Sequence, residues 1–277
     1  MVFNFGENGG GILKKTKWAL IVVVGVLLAV GMYRSRYLEL EEIEIVVDGL
    51  APELEGFRIA HISDLHLPHS ASIMDEILRR IEEAKPDIIV MTGDDIDDSY
   101  DFSQGYFEDF SHRIVKIADV YAVSGNHEVE GENYWRWRRT LESAGAVVLD
   151  DAYVHLDFLT LVGFKDRWVQ EEDFVPDSDA FKIGLVHRPQ YFQSDFNVVF
   201  AGHNHGGQVR LPGIGGLVAP APEERRGPNL IFFPDHSSGL YLIRDGKWKV
   251  MSRGLGNQHP FRLNNPFHLP IITLRSQ

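Results

Sequence analysis

There is no cysteine among the 277 residues. A disulfide scaffold, a thiolate zinc finger, an iron–sulfur cluster and a thiol nucleophile are therefore excluded. Basic side chains are scarce relative to acidic ones, 27 against 40, for a formal net charge of −13. Nucleic-acid backbones are held by clustered Lys and Arg, so this balance argues against a nucleic-acid partner. It argues also against electrostatic docking on an anionic membrane surface. Long apolar runs are nearly absent, and with only one segment of useful length a polytopic membrane protein is ruled out. What is present is an ordinary apolar fraction of 44%. That suits a folded chain of one large domain or two small ones.

The one apolar run is WALIVVVGVLLAVGMY, Trp18 to Tyr33, 16 residues without a charge. As a helix it spans about 24 Å, a little less than a ~30 Å hydrocarbon core. Lys17 and Arg34 can snorkel, and Trp18 and Tyr33 stand where interfacial aromatics belong. A cleavable signal peptide is the competing reading, but Arg34 and Arg36 follow the run directly and no A-x-A site is visible. The expectation is a single-pass anchor in the cell membrane. Lys14, Lys15 and Lys17 before the run outnumber Arg34 and Arg36 after it, which favours a catalytic domain outside the cytoplasm. The expected organisation is a basic tail at 1–17, the anchor at 18–33, a linker at 34–42 and one domain at 43–277.

Within that domain the first half alternates strand and helix. Strands are expected at Ile43–Val47, Phe57–Ile62, Asp87–Met91 and Val120–Val123. Ile73, Ile77, Leu78 and Ile81 mark one face of a helix that stops before Pro86, and further helices are expected over Gly105–Ile117 and Glu132–Ser143. After Val147 short strands follow one another, around Val154–Leu156, Leu159–Val162, Lys182–Val186, Val198–Ala201, Leu230–Phe233, Leu240–Ile243 and Trp248–Met251. Such a pattern predicts two packed sheets flanked by helices.

The informative polar residues fall just past apolar strands: Asp64-Leu65-His66, Gly93-Asp94-Asp95-Ile96-Asp97, Gly125-Asn126-His127-Glu128, His187, and Gly202-His203-Asn204-His205. Ligands of open α/β sheets bind beyond the carboxyl ends of the strands, so these segments are expected to converge. One Asp-x-His or one Gly-Asp would be an ordinary turn. Five such elements in order are different, because burying this many His and Asp without a cation is costly. The oxygen and nitrogen donors suit Mn, Fe or Zn.

Those five elements resemble the motif series of the calcineurin-like metallophosphoesterases, over about Phe57 to Gly256. The stretches ISDLHLP, GHNHGGQVRLPGIGG and SRGLG are similar to a membrane-associated phosphodiesterase branch that includes enzymes like UDP-2,3-diacylglucosamine pyrophosphatase. The resemblance implies a four-layer α/β/β/α sandwich and two divalent metal ions. It implies that Asp64, His66 and His205 hold one ion, that Asn126, His187 and His203 hold the other, and that Asp94 bridges them. It implies attack at phosphorus by a metal-bridging hydroxide, with Asn126 stabilising the transition state and His127 as general acid, which Glu128 could orient. Asp95, Asp97 and Asp98 are candidates to cap the loop or support the ligands, and Asp97 is the motif member of the three. Three departures stand out: Asn204 where Thr is usual, Arg188 where Asn is common and a phosphate contact is possible, and a poor fit over Glu223–Ser238 that reads as an insertion.

The implied activity is hydrolysis of a phosphodiester or pyrophosphate, with a lipid-linked or cell-envelope substrate to account for the anchor. A phosphatase or nucleotide phosphoesterase for a small soluble substrate, and a metal-binding scaffold without turnover, are the competing readings. His residues outside the motifs (61, 69, 112, 155, 236, 259, 268) read as structural or surface groups. Arg253 and Arg262 are candidate phosphate ligands or salt-bridge partners; Phe107, Trp135 and Trp137 read as core before mouth-lining aromatics.

Overall fold

The computed structural model describes residues 9–167, 175–176, 180–189, 196–220, 230–234, 236–244, 246–256 and 262–277. In chain order the elements are α1 (Gly9–Arg34), β1 (Leu38–Val47), β2 (Arg58–Ile62), α2 (Met74–Ala84), β3 (Ile88–Met91), α3 (Tyr106–Ile114) and β4 (Asp119–Ala122). They continue with α4 (Asn126–Glu130), α5 (Tyr134–Ala144), β5 (Val147–Val148), β6 (Ala152–His155), β7 (Leu159–Gly163), β8 (Phe181–Leu185) and β9 (Val198–Ala201). The last are β10 (Arg210–Leu211), β11 (Gly215–Gly216), β12 (Val218–Pro220), β13 (Leu230–Phe232), β14 (Gly239–Arg244), β15 (Lys247–Met251) and β16 (Phe267–Ser276).

Two six-stranded mixed sheets result, ordered β1-β16-β2-β3-β4-β5 and β14-β15-β9-β8-β7-β6. In the first, β2 to β5 run parallel, while β16 pairs antiparallel with β2 and parallel with β1. In the second, β7, β8, β9 and β15 are parallel, with antiparallel β6 and β14 at the edges.

The period-two alternation of the strands assigns their faces. Ile59, Val90, Tyr121 and Val123 point from the first sheet into a core shared with Leu161, Ile183, Leu185, Val198 and Phe200 of the second. Ala60, Ile62, Ile89, Met91 and Ala122 point the other way, onto Ile77, Leu78 and Ile81 of α2, Phe107, Phe110 and Ile114 of α3, and Trp137 and Leu141 of α5. Phe107 and Trp137 are thus core, while Trp135 is exposed. Helix α2 ends where Lys85 turns left-handed and its N–H meets the carbonyls of Ile81 and Glu82, just before Pro86.

Helices, first sheet and second sheet form three of the four expected layers. The second sheet's far face is apolar, with Val162, Phe164, Val186, Val199 and Met251. No helix among the described residues covers it, and parts of the 168–179 and 190–195 connections lie outside those residues. So does half of the expected insertion at Glu223–Ser238.

Two expectations need correcting. Strand β1 starts at Leu38, so Leu38–Glu42 belong to a sheet and not to a linker; they pair in register with Phe267–Ile271. The partner, β16, is a central strand where none was expected.

Helix α1 runs beyond the expected span on its N-terminal side. Its segment Lys15–Arg34 has a mean hydropathy of 1.9 and is long and apolar enough to cross a membrane, as a signal sequence or as an anchor. The last turn is docked on the domain. Asn264 N–H donates to the Gly31 carbonyl at 2.9 Å, and Asn265 N–H to Ser35 Oγ at 3.1 Å.

Candidate metal centre

The donors sit on tight turns that leave the carboxyl ends of β2, β3, β4, β8 and β9. Five of them have backbones in the left-handed region: Asp64 (φ 52°), His66 (45°), Asp94 (54°), His203 (69°) and His205 (45°). That region costs a non-glycine residue about 1–2 kcal/mol, and such strain concentrates at functional sites. Glycines let the turns close on one another. A Cβ at Gly125 would collide with the Asp94 carboxylate, and one at Gly202 with Ser63 Oγ and the Asp64 carboxylate.

The turns bring all seven expected ligands together, six of them nearly or fully buried and Asn126 partly so. One group is Asp64, His66 and His205: His66 Nε2 lies 3.0 Å from His205 Nε2, which lies 3.4 Å from Asp64 Oδ1. Another is Asp94, His187 and His203, with His187 Nε2 3.0 Å from Asp94 Oδ2 and 3.2 Å from His203 Nδ1. Asn126 Oδ1 is 3.1 Å from the same His187 nitrogen. Asp94 Oδ2 also faces the first group, 3.9 Å from His66 Nε2. A third grouping, His66, Asp94 and His127, is also close enough to share an ion.

Tautomers follow from the partners. His187 Nδ1 donates to the Thr92 carbonyl at 2.7 Å, which leaves Nε2 to face Asp94. His66 Nδ1 lies 2.8 Å from Asp97 Oδ1, so its Nε2 likewise faces the cluster. This carboxylate–imidazole arrangement orients a metal-binding His and raises its basicity. Asp97 also meets His69 at 2.8 Å, which gives that non-motif histidine a partner.

Glu128 does not contact His127 as expected. Its buried carboxylate accepts from four backbone N–H groups: Asp94 and Gly125 on one oxygen, Asp95 and Ile96 on the other, at 2.8–3.1 Å. It shapes the turn that carries Asp94. The partner of His127 is Asp98, 2.7 Å from Nδ1, while His127 Nε2 points inward, 4.0 Å from Asp94 Oδ2. Asp98 lies in an Asp-rich run with nothing in its spacing to single it out. Asp166 was missed, although it follows an apolar strand as the motif residues do. It sits 3.4 Å from buried Arg188, which reaches Glu130 at 2.8 Å. Asn204 donates to the His236 carbonyl at 3.4 Å. Arg262 is structural: buried, it donates to the carbonyls of Arg253, Gly254, Gly256, Asn265 and Pro266.

Burial dominates the electrostatics. It pushes the Asp64 carboxyl up, and it holds His203 and His205 well below the usual imidazole range, helped by neighbouring cationic groups. Burial opposes charge on His187 and Asp94 too, but their mutual attraction outweighs it: His187 is pushed up to about 10 and Asp94 is held well below the carboxylate range. Buried carboxylates facing imidazole nitrogens, all hard or borderline donors, fit divalent cations.

Comparison with known proteins agrees. The family model described as calcineurin-like phosphoesterase matches residues 57–243. Phosphodiesterase YaeI of Escherichia coli (strain K12) is 32% identical over 78% of this chain and 80% of its own length. An uncharacterized metallophosphoesterase of Bacillus subtilis (strain 168), YkuE, is 28% identical over 92% of this chain and 94% of its own. A transmembrane protein with metallophosphoesterase domain from Danio rerio is 25% identical over 72% of this chain and 52% of its own. With the motif residues converged in one buried cluster on two mixed sheets, the chain belongs to the calcineurin-like phosphoesterases and is a metal-dependent phosphoric ester hydrolase.

Proposed function

We propose that this chain is a membrane-anchored phosphodiesterase or pyrophosphatase with two divalent ions, acting on a lipid-linked or cell-envelope substrate from outside the cytoplasm. The observation that carries the dinuclear reading is the position of Asp94, whose Oδ2 faces His187 on one side and His66 on the other. Asp64, His66 and His205 would hold one ion, Asn126, His187 and His203 the second, and Asp94 both. Bound there, Mn, Fe or Zn would supply Lewis acidity and water ionised near neutral pH.

The chain's own groups do the rest. His127 hands a proton from Nε2 to the leaving oxygen, and Asp98 fixes its ring through Nδ1. Asn126 and Arg188 offer donors to phosphate oxygens. Asp97 acts through His66. Glu128 acts through the backbone of the Asp94 turn, and Asn204 through the loop around His236.

Support for a lipid-borne substrate comes from α1. Its docked end holds Asn264 and Asn265, and Asn265 Nδ2 donates to the His205 carbonyl at 2.7 Å. The metal centre therefore lies on the side of the domain from which the apolar helix departs. Similarity to phosphodiesterase YaeI supports a diester as the bond cleaved.

The test is metal-supplemented hydrolysis of bis-p-nitrophenyl phosphate against p-nitrophenyl phosphate, followed by a panel of lipid pyrophosphates, glycerophosphodiesters and nucleotides. The diester should turn over faster. A preference for the monoester would favour a soluble-substrate phosphatase, and two bound ions with no turnover would favour a scaffold. Alkaline carbonate should leave the chain in the membrane fraction, and protease added to intact cells should reach the domain.

A further inference from the structure

A polar cavity of about 450 Å³ opens at the docked end of α1. Its lining includes three arginines, Arg34, Arg210 and Arg253, against one carboxylate, Glu39, together with Ile214 and Pro266. A cluster of guanidiniums is unexpected on a chain of net charge −13. None of the three belongs to the donor set described above.

The cluster is built into the fold. The Arg210 Nη1 atom donates to the Gly206 carbonyl at 2.8 Å. The stem of Arg253 lies against Gly206, where a Cβ would come within 2.7 Å of its Cγ. Arg253 is more than nine-tenths buried and its Nε has no hydrogen-bond partner. Its other nitrogens meet Glu39 at 2.9 Å, Ser238 Oγ at 3.3 Å and Glu41 at 3.6 Å. Glu39 is half-exposed and lines the cavity, whereas Glu41 is engaged with His268 at 2.7 Å and does not. Three guanidiniums against one lining carboxylate leave the cavity with an excess of cationic donors, and guanidiniums suit a phosphate oxyanion in particular.

The place of the cavity narrows the source of the anion. Arg34 is the last residue of the apolar span Lys15–Arg34. If α1 crosses a bilayer, Arg34 stands at headgroup depth. On the same rim, Ile214 at the β10–β11 turn is largely exposed. Cations with an apolar side chain beside them match a phosphate that carries acyl chains better than a free ion.

We infer that this cavity holds the phosphate of an anionic phospholipid headgroup, at a site separate from the metal centre. The inference rests on the anchor reading of α1. The bound lipid would brace the docked end of α1 against the turn that follows His205.

Native mass spectrometry of the detergent-purified full chain tests it, with phosphatidylglycerol and phosphatidylcholine of matched acyl chains as probes. The wild-type chain should prefer phosphatidylglycerol. Arg34→Gln and Arg210→Gln should each weaken that preference by about fivefold. Arg34 is exposed, so its variant remains informative if loss of Arg210 impairs folding. Equal binding of the two lipids, or variants that bind like the wild type, would overturn the site. Inorganic phosphate that bound with the same arginine dependence and as tightly as the lipid would overturn the lipid assignment in favour of a free anion. Carbonate extraction reads the anchor separately: release from membranes would sink the anchor reading, whereas the lipid titration in detergent needs no bilayer.

Discussion

The two sheets bring different chemistry to their common edge. Strands of the first end in Asp64, His66, Asp94 and Asn126, and strands of the second in His187, His203 and His205. Both carboxylates come from the first sheet and most imidazoles from the second. Neither donor group is complete on one side: Asp64 and His66 need His205, and Asp94 and Asn126 need His187 and His203. The supports differ too. Donors of the first sheet are positioned by Asp97 and Glu128 from its own turns, whereas His187 is pinned across the gap to the Thr92 carbonyl. An ion in either place would cross-link the sheets.

The strongest test of that difference is Asp94→Asn, which removes charge from the one donor facing both groups. Activity should fall to background and metal content should drop with it, read by hydrolysis and elemental analysis. Chelation of the wild type should lower its melting temperature by about 5–10 °C, if the ions were bound near a hundredfold above their dissociation constants. The Asp94 variant should show little of that shift. An unchanged melting temperature after verified metal removal would break the cross-linking idea.

Next in size is His127→Ala. It should keep its metal and lose about 10²–10⁴-fold in rate, most for substrates with poor leaving groups. Full activity on an alkyl diester would remove His127 from the role of acid. Asp98→Asn should cost about tenfold, and should shift the pH–rate profile of the wild type where His127→Ala abolishes the corresponding limb.

The smallest effect concerns His61, buried between the sheets, with Nε2 2.9 Å from Thr92 Oγ1. Burial, reinforced by His268, pushes its pKa down to about 3, against about 6.5 for a free imidazole. Below about pH 6.5 the unfolded chain takes up a proton that the folded chain refuses, so stability falls as pH drops from about 6.5 to about 3. His61→Gln should flatten that dependence by about one proton, measured by urea unfolding across the window. An identical slope would mean that His61 is protonated in the native state.

Much of this organisation was legible because strand ends carry it. An apolar run of four to six residues followed by Asp, Asn or His is a local signal, and these segments converge in one cluster. What failed was non-local. Strand β16 contains Pro270, which has no N–H to offer a ladder, and its place in the middle of the first sheet depends on β1 on one side and β2 on the other. The start of β1 at Leu38 was hidden for the same reason, since Leu38–Glu42 become a strand only by pairing with Phe267–Ile271. Glu128 was assigned to its sequence neighbour His127, whereas its partners Asp94, Asp95 and Ile96 lie more than thirty positions away. Arg253 and Arg262 look alike in sequence; burial among carbonyls makes one a backbone brace and leaves the other facing a cavity.

The docked end of α1 bears on where a soluble form of the enzyme can be cut. A chain shortened to begin at Leu38 would keep every strand of both sheets, yet lose the Gly31 carbonyl and the Ser35 hydroxyl. The N–H groups of Asn264 and Asn265 would then turn to water, in the segment whose Asn265 side chain steadies the His205 carbonyl. A low specific activity in such a preparation would reflect the position of the cut, and a version that retains the last two turns of the helix, with its apolar residues made polar, is the fairer sample of the domain.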